Sequence, residues 1–585
     1  GNGGGTGGGT GGGASLGQCG DEATFIHQIQ GDGFTSPLVD EVHVVEGVVT
    51  ASFSGLSGFF IQEEDVDADA DAMTSEAVFV SSGELPANGS KVRVIGKVEE
   101  NFGKTQLKTS ESLVDCGVDV VSVLNIGLPF ASAEARESVE GMLVSSSGDL
   151  LVSDNYNLGR YGEVTLSSKL LSQPTNVFAP LSAEAIALAE SNQLDRLVLD
   201  DGMNGSNPEN VIYPSGGLSA SNTLRLGDTV SSLEGVIDYS YGNYRIIPTS
   251  APSFVHTNQR TDTPILTEGN LKVASLNVLN LFNGDGMGGG FPTARGATNI
   301  EEYNRQVVKT VSAIIAMDAD IVGLMEIEND GVNENSVISQ LVDMLNTELG
   351  SNTYAFVNPG GAIGSDAIAV GILYKPATVS LEGEAKLNSS STFHRPPLAQ
   401  TFGLNANNEK ITVVVNHFKS KGGCSSATGL DKDQLDGQGC YNPTRVAQAN
   451  ELTSWISTEA DLSKETDVLI IGDLNSYAKE DPISAIEESG YVNLVNKFGG
   501  EYAYSYLFSG QVGYLDHAIA TDSLAEKAVD AAEWHINAVE PKVLDYNLEY
   551  KSVQQQSDFY APDMYRMSDH DPVIVTFNLG QASIT

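Results

Sequence analysis

Two short motifs hold most of the chemistry this sequence could do. Met567-Ser-Asp-His-Asp-Pro-Val573 and Ile471-Gly-Asp-Leu-Asn475 each set carboxylates, an amide or an imidazole where an apolar run gives way to a loop. Hard oxygen donors beside a titratable imidazole are what metal-assisted hydrolysis of a phosphate ester requires. Further runs end the same way: Lys272-Val-Ala-Ser-Leu-Asn277 on an amide, Ile321-Val-Gly-Leu-Met-Glu326 on a carboxylate, and Thr412-Val-Val-Val-Asn416-His417 on an imidazole, with Lys419 just beyond. Buried strands deliver their last side chains to a common rim. Asn277, Glu326, His417, Asp473, Asn475, Asp569 and His570 are therefore expected to converge. Taken singly, each has a plainer reading: Glu326 as a loop cap, Asp473 with Asn475 as an Asx turn, His517 as a satisfied core or rim residue. Their joint order and type favour the functional one.

The elements that must position these residues are legible from periodicity. Strands are expected near 321–326, 368–374, 411–417, 467–472, 515–520 and 573–577, in two sheets packed face to face with helices outside. A helix is predicted from Ile300 to Met317, with Val307, Val308, Val311, Ile314 and Ile315 on one face. A Gly-rich loop, Asn283 to Gly296, precedes it. Upstream, the chain reads as strands and turns with a faint repeat: Val45-Glu46-Gly47 resembles Val139-Glu140-Gly141, and Phe102-Gly103 resembles Tyr241-Gly242. Glycines at such positions mark bulges or barrel corners. The division expected is a Gly-rich linker (1–17), an OB-like β domain (18–118), a second β-rich and OB-like domain (119–260) enlarged by an insertion near 150–225, a hinge (261–269), a catalytic α/β domain (270–580) and a tail (581–585). Small barrels can bind single-stranded nucleic acid through aromatic faces. Phe59, Phe60, Phe102, Tyr239, Tyr241 and Tyr244 are candidates for that, with core packing as the alternative.

The ordered set Ser275-Leu-Asn277, Glu326, His394-Arg395-Pro, Asn416-His417, Gly472-Asp473-Leu-Asn475, Leu515-Asp516-His517 and Ser568-Asp569-His570 resembles the endonuclease/exonuclease/phosphatase superfamily, whose best-known member is DNase I. The likeness runs from about 270 to 580, and the whole chain is similar to bacterial extracellular nucleases of the ExeM/NucH type. The resemblance implies a four-layered α/β sandwich. It implies Glu326, Asn277 and Asp569 around Mg²⁺ or Mn²⁺, with Glu326 the principal ligand. It makes His570 the general base oriented by Asp516, and gives Asp473 and Asn475 the attacking water and phosphoryl oxygens. His417 becomes the imidazolium that stabilises the leaving oxygen. Arg395, Asn277 and Lys419 are the implied phosphate contacts, and Lys421 and Arg445 are expected to line the site too. One departure stands out: the acid that pairs with the equivalent of His417 in DNase I is replaced by Ile368. Asp366 then becomes a candidate orienter or extra metal ligand.

Composition bounds the rest. The formal charge of −46 over 585 residues opposes approach to a polyanion and predicts dependence on divalent cations and screening salt. Nothing is apolar for long enough to span a bilayer as a helix. The Gly1-Asn-Gly-Gly-Gly-Thr start reads as the tail of a linker, with any export signal absent from this chain. Cys19, Cys116, Cys424 and Cys440 allow three pairings. Local pairing, Cys19 with Cys116 and Cys424 with Cys440, is expected and suits an exported protein, with reduced thiols as the alternative. Asp431 and Asp433, with Asp436, lie in the loop after His417, and Asp65, Asp67, Asp69 and Asp71 alternate in another. Each is a solvated acidic turn or a structural Ca²⁺ site. The expected function is a secreted, monomeric, metal-dependent, sugar-nonspecific endonuclease acting on DNA, with RNA as a second substrate. The alternatives are a phospholipid or inositol-phosphate phosphodiesterase and a catalytically dead nucleic-acid-binding matrix protein.

Overall fold

The alternation of apolar residues fixes how the C-terminal half is layered. In a computed structural model that describes residues 15–109 and 111–580, β6 (Leu271–Leu281), β7 (Ile321–Glu328), β8 (Ile368–Tyr374) and β12 (Val573–Phe577) lie in one six-stranded sheet. The strands β9 (Lys410–His417), β10 (Val468–Asp473) and β11 (Asp516–Thr521) lie in another. Along β7, Ile321 and Met325 face the second sheet, whereas Val322 and Leu324 face the helices Ile300–Met317 and Val337–Leu349. On the second sheet Ile471 points inward, while Ile470 meets Leu452 and Ile456 of the helix Asn442–Thr458. Two pleated faces pack against each other and each outer face takes a helix layer. That is the expected four-layered α/β sandwich.

The helix Ile300–Met317 has the predicted bounds. Asn299 caps it by accepting from the Glu302 amide, and Asp318 ends it in the left-handed conformation at φ 49°. Val307, Val311 and Ile314 are buried; Val308 and Ile315 are only partly so, because they sit at the edges of the stripe.

Upstream, β1 (Val42–Phe53), β2 (Gly58–Gln62), β3 (Ala77–Ser81), β4 (Ser90–Asn101) and β5 (Lys104–Thr109) pair in the order β1-β2-β3-β5-β4, and β4 pairs back with β1. The ring is closed, with β3 and β5 parallel. Val45, Val49, Phe59, Ile61, Val94 and Leu107 fill it, and Ile26 and Ile29 of a short helix plug it. The Cys19–Cys116 disulfide joins the two ends of this segment, and Cys424–Cys440 closes the loop after His417, which are the local pairings expected.

A second closed barrel is not what residues 124–255 make. They form a nine-stranded sheet running from Ser253–Val255 at one edge to Leu124–Ile126 at the other. The stretch expected as an insertion supplies its middle strands, Leu150–Asp154, Val164–Ser167 and Leu197–Leu199, whose leucines and valines share one core. Runs this short show no period in sequence. Of the candidate stacking aromatics, Phe59, Phe60 and Tyr244 are buried and Tyr239 is partly so, while Phe102 and Tyr241 stand exposed at hairpin tips. The expected linker up to residue 14 and the tail from 581 lie outside the described residues.

Candidate functional site

The strand ends meet as the spacing required, and the geometry depends on two irregularities. The β6–β7 register shifts between Asn277 and Leu281, and the β7–β8 register shifts between Leu324 and Ile327. Within the second bulge Glu326 takes φ 66°, a left-handed backbone that a glutamate adopts only when its surroundings impose it. The bulge turns the Glu326 carboxylate sideways off the pleat, where Asn277 Nδ2 reaches Oε1 at 3.2 Å and the Asn280 amide reaches Oε2 at 3.0 Å.

Across the sandwich, Asp473 ends β10 and is almost fully buried. Its Oδ1 accepts from the Asn475 amide at 2.9 Å, leaving Oδ2 for the centre, 3.6 Å from His417 Nε2 and 3.7 Å from His570 Nε2. His417 Nε2 lies 3.9 Å from Glu326 Oε1. The opposite nitrogen of His570, Nδ1, bonds Asp516 Oδ2 at 2.7 Å, and the Ser505 hydroxyl donates to that same oxygen at 2.6 Å. The Tyr506 ring packs on the His570 ring at 4.6 Å between centroids. Asp569 Oδ1 is 4.0 Å from His570 Nε2 on the open side. Glu326, His417, Asp473, Asn277, Asp516, Asp569 and His570 thus form one cluster.

Burial sets the protonation of these groups. It raises Glu326, reinforced by the charge of Asp569, and pushes Asp473 up to about 7 against the opposing pull of His570. For His570, burial alone would favour the neutral ring, but Asp516, Asp473 and Asp569 outweigh it and hold the imidazole protonated well above its usual range. His417 goes the other way. Desolvation, then the nearby positive charges of Arg395, His570 and Arg295, push it far down. Its Nδ1 is buried with no hydrogen-bond partner among the described residues. These directions favour the neutral ring at His417, where an imidazolium was expected, and the charged ring at His570.

The donor set suits a hard divalent cation. Ligand atoms of Glu326, His417 and Asp473 lie within 4.8 Å of one another, as do those of Asp473, Asp516 and His570. Acids raised by burial and by mutual repulsion mark uncompensated negative charge, which such an ion relieves. Asn277 differs from its expected role. Its oxygen caps the Leu279 amide at 2.9 Å, and its nitrogen faces both Glu326 and Asp473, at 3.2 and 3.3 Å. Its nitrogen restrains the two acids while its oxygen holds the Leu279 amide.

Several expected residues are tied into the scaffold. Arg395 is buried; its Nε donates to the His417 carbonyl at 3.2 Å and its guanidinium also holds the Phe418 carbonyl and Asp366. Asp366 makes no hydrogen bond to His417 among the described residues. It pairs with Arg395 at 3.3 Å and Arg295 at 3.1 Å. The Asn475 amide group donates to the Phe418 carbonyl at 3.0 Å. Arg445 is fully buried and straps the carbonyls of Lys419, Gln438 and Cys440, while Lys421 is neutralised by Glu480 at 2.6 Å. Lys419 lies over the Tyr441 ring at 4.0 Å, still partly open. Asp431 accepts from Thr444 in the first turn of the helix Asn442–Thr458, and Asp433 accepts from the Leu435 amide at 2.8 Å. Neither belongs to a ligand group among the described residues. In the other acidic loop, Asp65 binds Ser122, whereas Asp69 lies with His27 and Glu76 in a group able to hold an ion. His517 is satisfied in the core, bonding the Ser476 carbonyl at 2.7 Å.

Sequence reasoning missed Ser505, Tyr506 and the half-exposed Arg295, because Tyr-Ser-Tyr and Ala-Arg-Gly carry no motif of their own. It also missed Asp571, whose Oδ1 accepts from the Asn537 and Ala538 amides and so fixes the backbone beside His570. Its place one residue past the imidazole was the available signal.

Comparison with known proteins matches residues 274–570 to the model of the Endonuclease/Exonuclease/phosphatase family, and residues 131–259 to a Domain of unknown function (DUF8508). Similar solved structures include a humanized D. rerio TDP2, 14% identical over 53% of this chain and 98% of that one with a TM-score of 0.34. The human Nocturnin catalytic domain with bound sulfate is 13% identical over 53% and 94%, TM-score 0.32. A family protein from Bacteroides thetaiotaomicron is 14% identical over 52% and 93%, TM-score 0.33. No curated protein matches the chain.

Proposed function

The chain belongs to the endonuclease/exonuclease/phosphatase family, and on that premise we propose that it is a secreted, divalent-metal-dependent phosphodiesterase that cuts DNA internally, with RNA as a second substrate. The observation that carries the hydrolytic reading is the Asp516–His570 pair at 2.7 Å, with its free Nε2 turned toward Asp473, in a pocket shared with Glu326 and His417.

Each side chain has a derivable part. Asp516 fixes the tautomer and orientation of His570, so that Nε2 is the atom that takes a proton from water. Asn277 donates to Glu326 and Asp473 at once and keeps the two acids from splaying apart. His417, buried and pushed toward its neutral form, presents Nε2 to the same centre as a hydrogen-bonding group for a phosphoryl or leaving oxygen. Arg295, half-exposed beside the rim and paired with Asp366 at 3.1 Å, could exchange that partner for a substrate phosphate in bidentate contact. Glu326, Asp473 and Asp569 would hold Mg²⁺ or Mn²⁺. Such an ion, when bound, polarises a phosphoryl oxygen and supplies positive charge against the acids that otherwise keep His570 protonated.

Secretion is supported by two disulfides in a chain without free thiols, and by an acidic surface suited to remaining soluble as a monomer. The first, closed β unit is read as an OB-like module that precedes the catalytic domain. The choice of DNA rests on the sequence resemblance. Supercoiled plasmid, total RNA and sphingomyelin are each incubated with Mg²⁺, Mn²⁺, Ca²⁺ or EDTA. Plasmid nicking is expected, abolished by EDTA and reduced by about three or more orders of magnitude in His570→Ala and Glu326→Ala. Turnover of lipid alone would replace nucleic acid as the substrate, and unimpaired variants would remove the site.

A further inference from the structure

The segment 171–177 belongs to the nine-stranded unit, yet its backbone is joined to the rim of the catalytic site. The Val512 amide donates to the Leu171 carbonyl at 2.7 Å and the Gln173 amide donates to the Val512 carbonyl at 2.9 Å. Ser172 and Val512 thereby form a parallel bridge beside the 506–513 hairpin. Gln173 Nε2 adds a bond to the Phe508 carbonyl at 3.1 Å, and Asn192 Nδ2 reaches both the Ser172 carbonyl and Gln511 Oε1, at 2.9 and 3.1 Å. Val512 itself is buried in the core of the nine-stranded unit. The hairpin is therefore bridged by a backbone segment from outside its own domain.

Asn176 closes the neck of that loop. It is fully buried, and its Nδ2 donates to the carbonyls of Glu501 and Ala503 at 3.1 and 3.2 Å while its Oδ1 accepts from the Tyr514 amide at 3.1 Å. The partners straddle the hairpin, two before it and one after. Gly513 is what permits the approach: a Cβ there would stand 3.1 Å from Asn176 Cγ and 2.7 Å from the Tyr477 ring. Inside this neck lie Ser505, whose hydroxyl holds Asp516 Oδ2 at 2.6 Å, and Tyr506, whose ring backs His570 at 4.6 Å. A shift of the loop moves both supports of the Asp516–His570 pair together.

We propose that Asn176 is a positioning residue of the hydrolytic site: by clamping the 501–514 loop it sets Ser505 and Tyr506, and through them the orientation of Asp516 and His570. This rests on the hydrolytic reading above. It means that a unit lying outside the matched catalytic region completes the machinery of that region in cis. Simple adhesion between units is the competing account, and Thr175 supplies its control, since the Thr175 hydroxyl joins the same interface through Glu480 at 2.8 Å without touching the hairpin.

The test uses the full chain as wild type, Asn176→Ala and Thr175→Val, assayed with Mg²⁺ on bis(p-nitrophenyl) phosphate and on plasmid, with hydrogen exchange of peptides covering 501–514. Asn176→Ala is expected to lower kcat by about ten- to a hundredfold with KM changed less than about threefold, and to speed exchange of 501–514 by about tenfold while strands β6 to β9 keep their protection. Thr175→Val should do neither. Should Asn176→Ala fail to fold, Gln173→Ala is expected to act in the same direction by about two- to fivefold in kcat, since it removes one bond at the loop's outer edge. Unchanged kcat in a variant with a loosened loop, or equal losses in Asn176→Ala and Thr175→Val, overturns the proposal. A wild-type chain inactive on every phosphodiester sinks the hydrolytic reading alone, and the clamp is then decided by the exchange of 501–514.

Discussion

Asp516 does two things through one oxygen: Oδ2 receives both the His570 ring nitrogen and the Ser505 hydroxyl, while Oδ1 has no partner among the described residues. In Asp516→Asn an amide nitrogen can replace that oxygen and drive the ring into the wrong tautomer. Loss of about 10²–10⁴ in kcat, with little change in KM, is expected from steady-state assays. Ser505→Ala removes only the second bond to the same oxygen and should cost about tenfold or less. A larger loss in Ser505→Ala than in Asp516→Asn would show that the hydroxyl, not the carboxylate, orients the ring. His517 makes a separate, pH-linked prediction. Burial pushes its imidazole from 6.5 down to about 4. Because the folded value is the lower one, the unfolded chain takes up the proton first as pH falls. Stability that is fully present above about 6.5 is lost progressively toward about 4, a total of about 3 kcal/mol. Denaturant unfolding at pH 7 and pH 4 should show wild type losing that much more than His517→Gln, and equal losses would refute the account.

At the scale of elements, the strand ends and the Ile300–Met317 helix were legible because each has a period set by its buried face. The alternation of Ile321, Val322, Leu324 and Met325 between two cores is a plain pattern in the chain. What pattern does not carry is irregularity and distance. The bulge that turns Glu326 to φ 66° breaks the very period by which β7 is recognised. The bonds from Asn176 to Glu501, Ala503 and Tyr514 join positions more than 300 residues apart with no spacing to betray them. Charged loops stay open between two readings for a related reason: sequence gives the count of acids but not what each one accepts. Asp431 is the clearest case, legible as a Ca²⁺ candidate yet bonded to the Thr444 amide and hydroxyl at the start of the helix Asn442–Thr458. Asp431→Ala should therefore cost about 1 kcal/mol, the value of a helix N-cap, and should cost it equally in Ca²⁺ and in EDTA. Paired thermal melts decide the matter, since a penalty confined to Ca²⁺ would restore the cation reading.

Taken whole, the molecule sets a strongly negative charge against the polyanionic substrate proposed for it. Its charge of −46 is not relieved near the site, where Asp366 neutralises much of Arg395 and Arg295 and Glu480 occupies Lys421. Basic nucleic-acid enzymes lose affinity as salt rises, because each neutralised phosphate releases counterions. Here long-range repulsion opposes encounter, and salt removes repulsion before it weakens the few contacts at the rim. Raising NaCl from about 10 to about 150 mM shortens the screening length from about 30 to about 8 Å, which hides most of the surface charge and leaves contacts inside the cleft nearly intact. The initial rate of plasmid cleavage at fixed Mg²⁺ should therefore rise across that range before falling at higher salt. A small monoanionic diester, whose single charge samples the field weakly, should change by no more than about twofold over the same range. A plasmid rate that falls steadily from the lowest salt would mean that the cleft attracts the duplex despite the net charge, and that local cations such as Arg295 and Lys419 dominate the encounter.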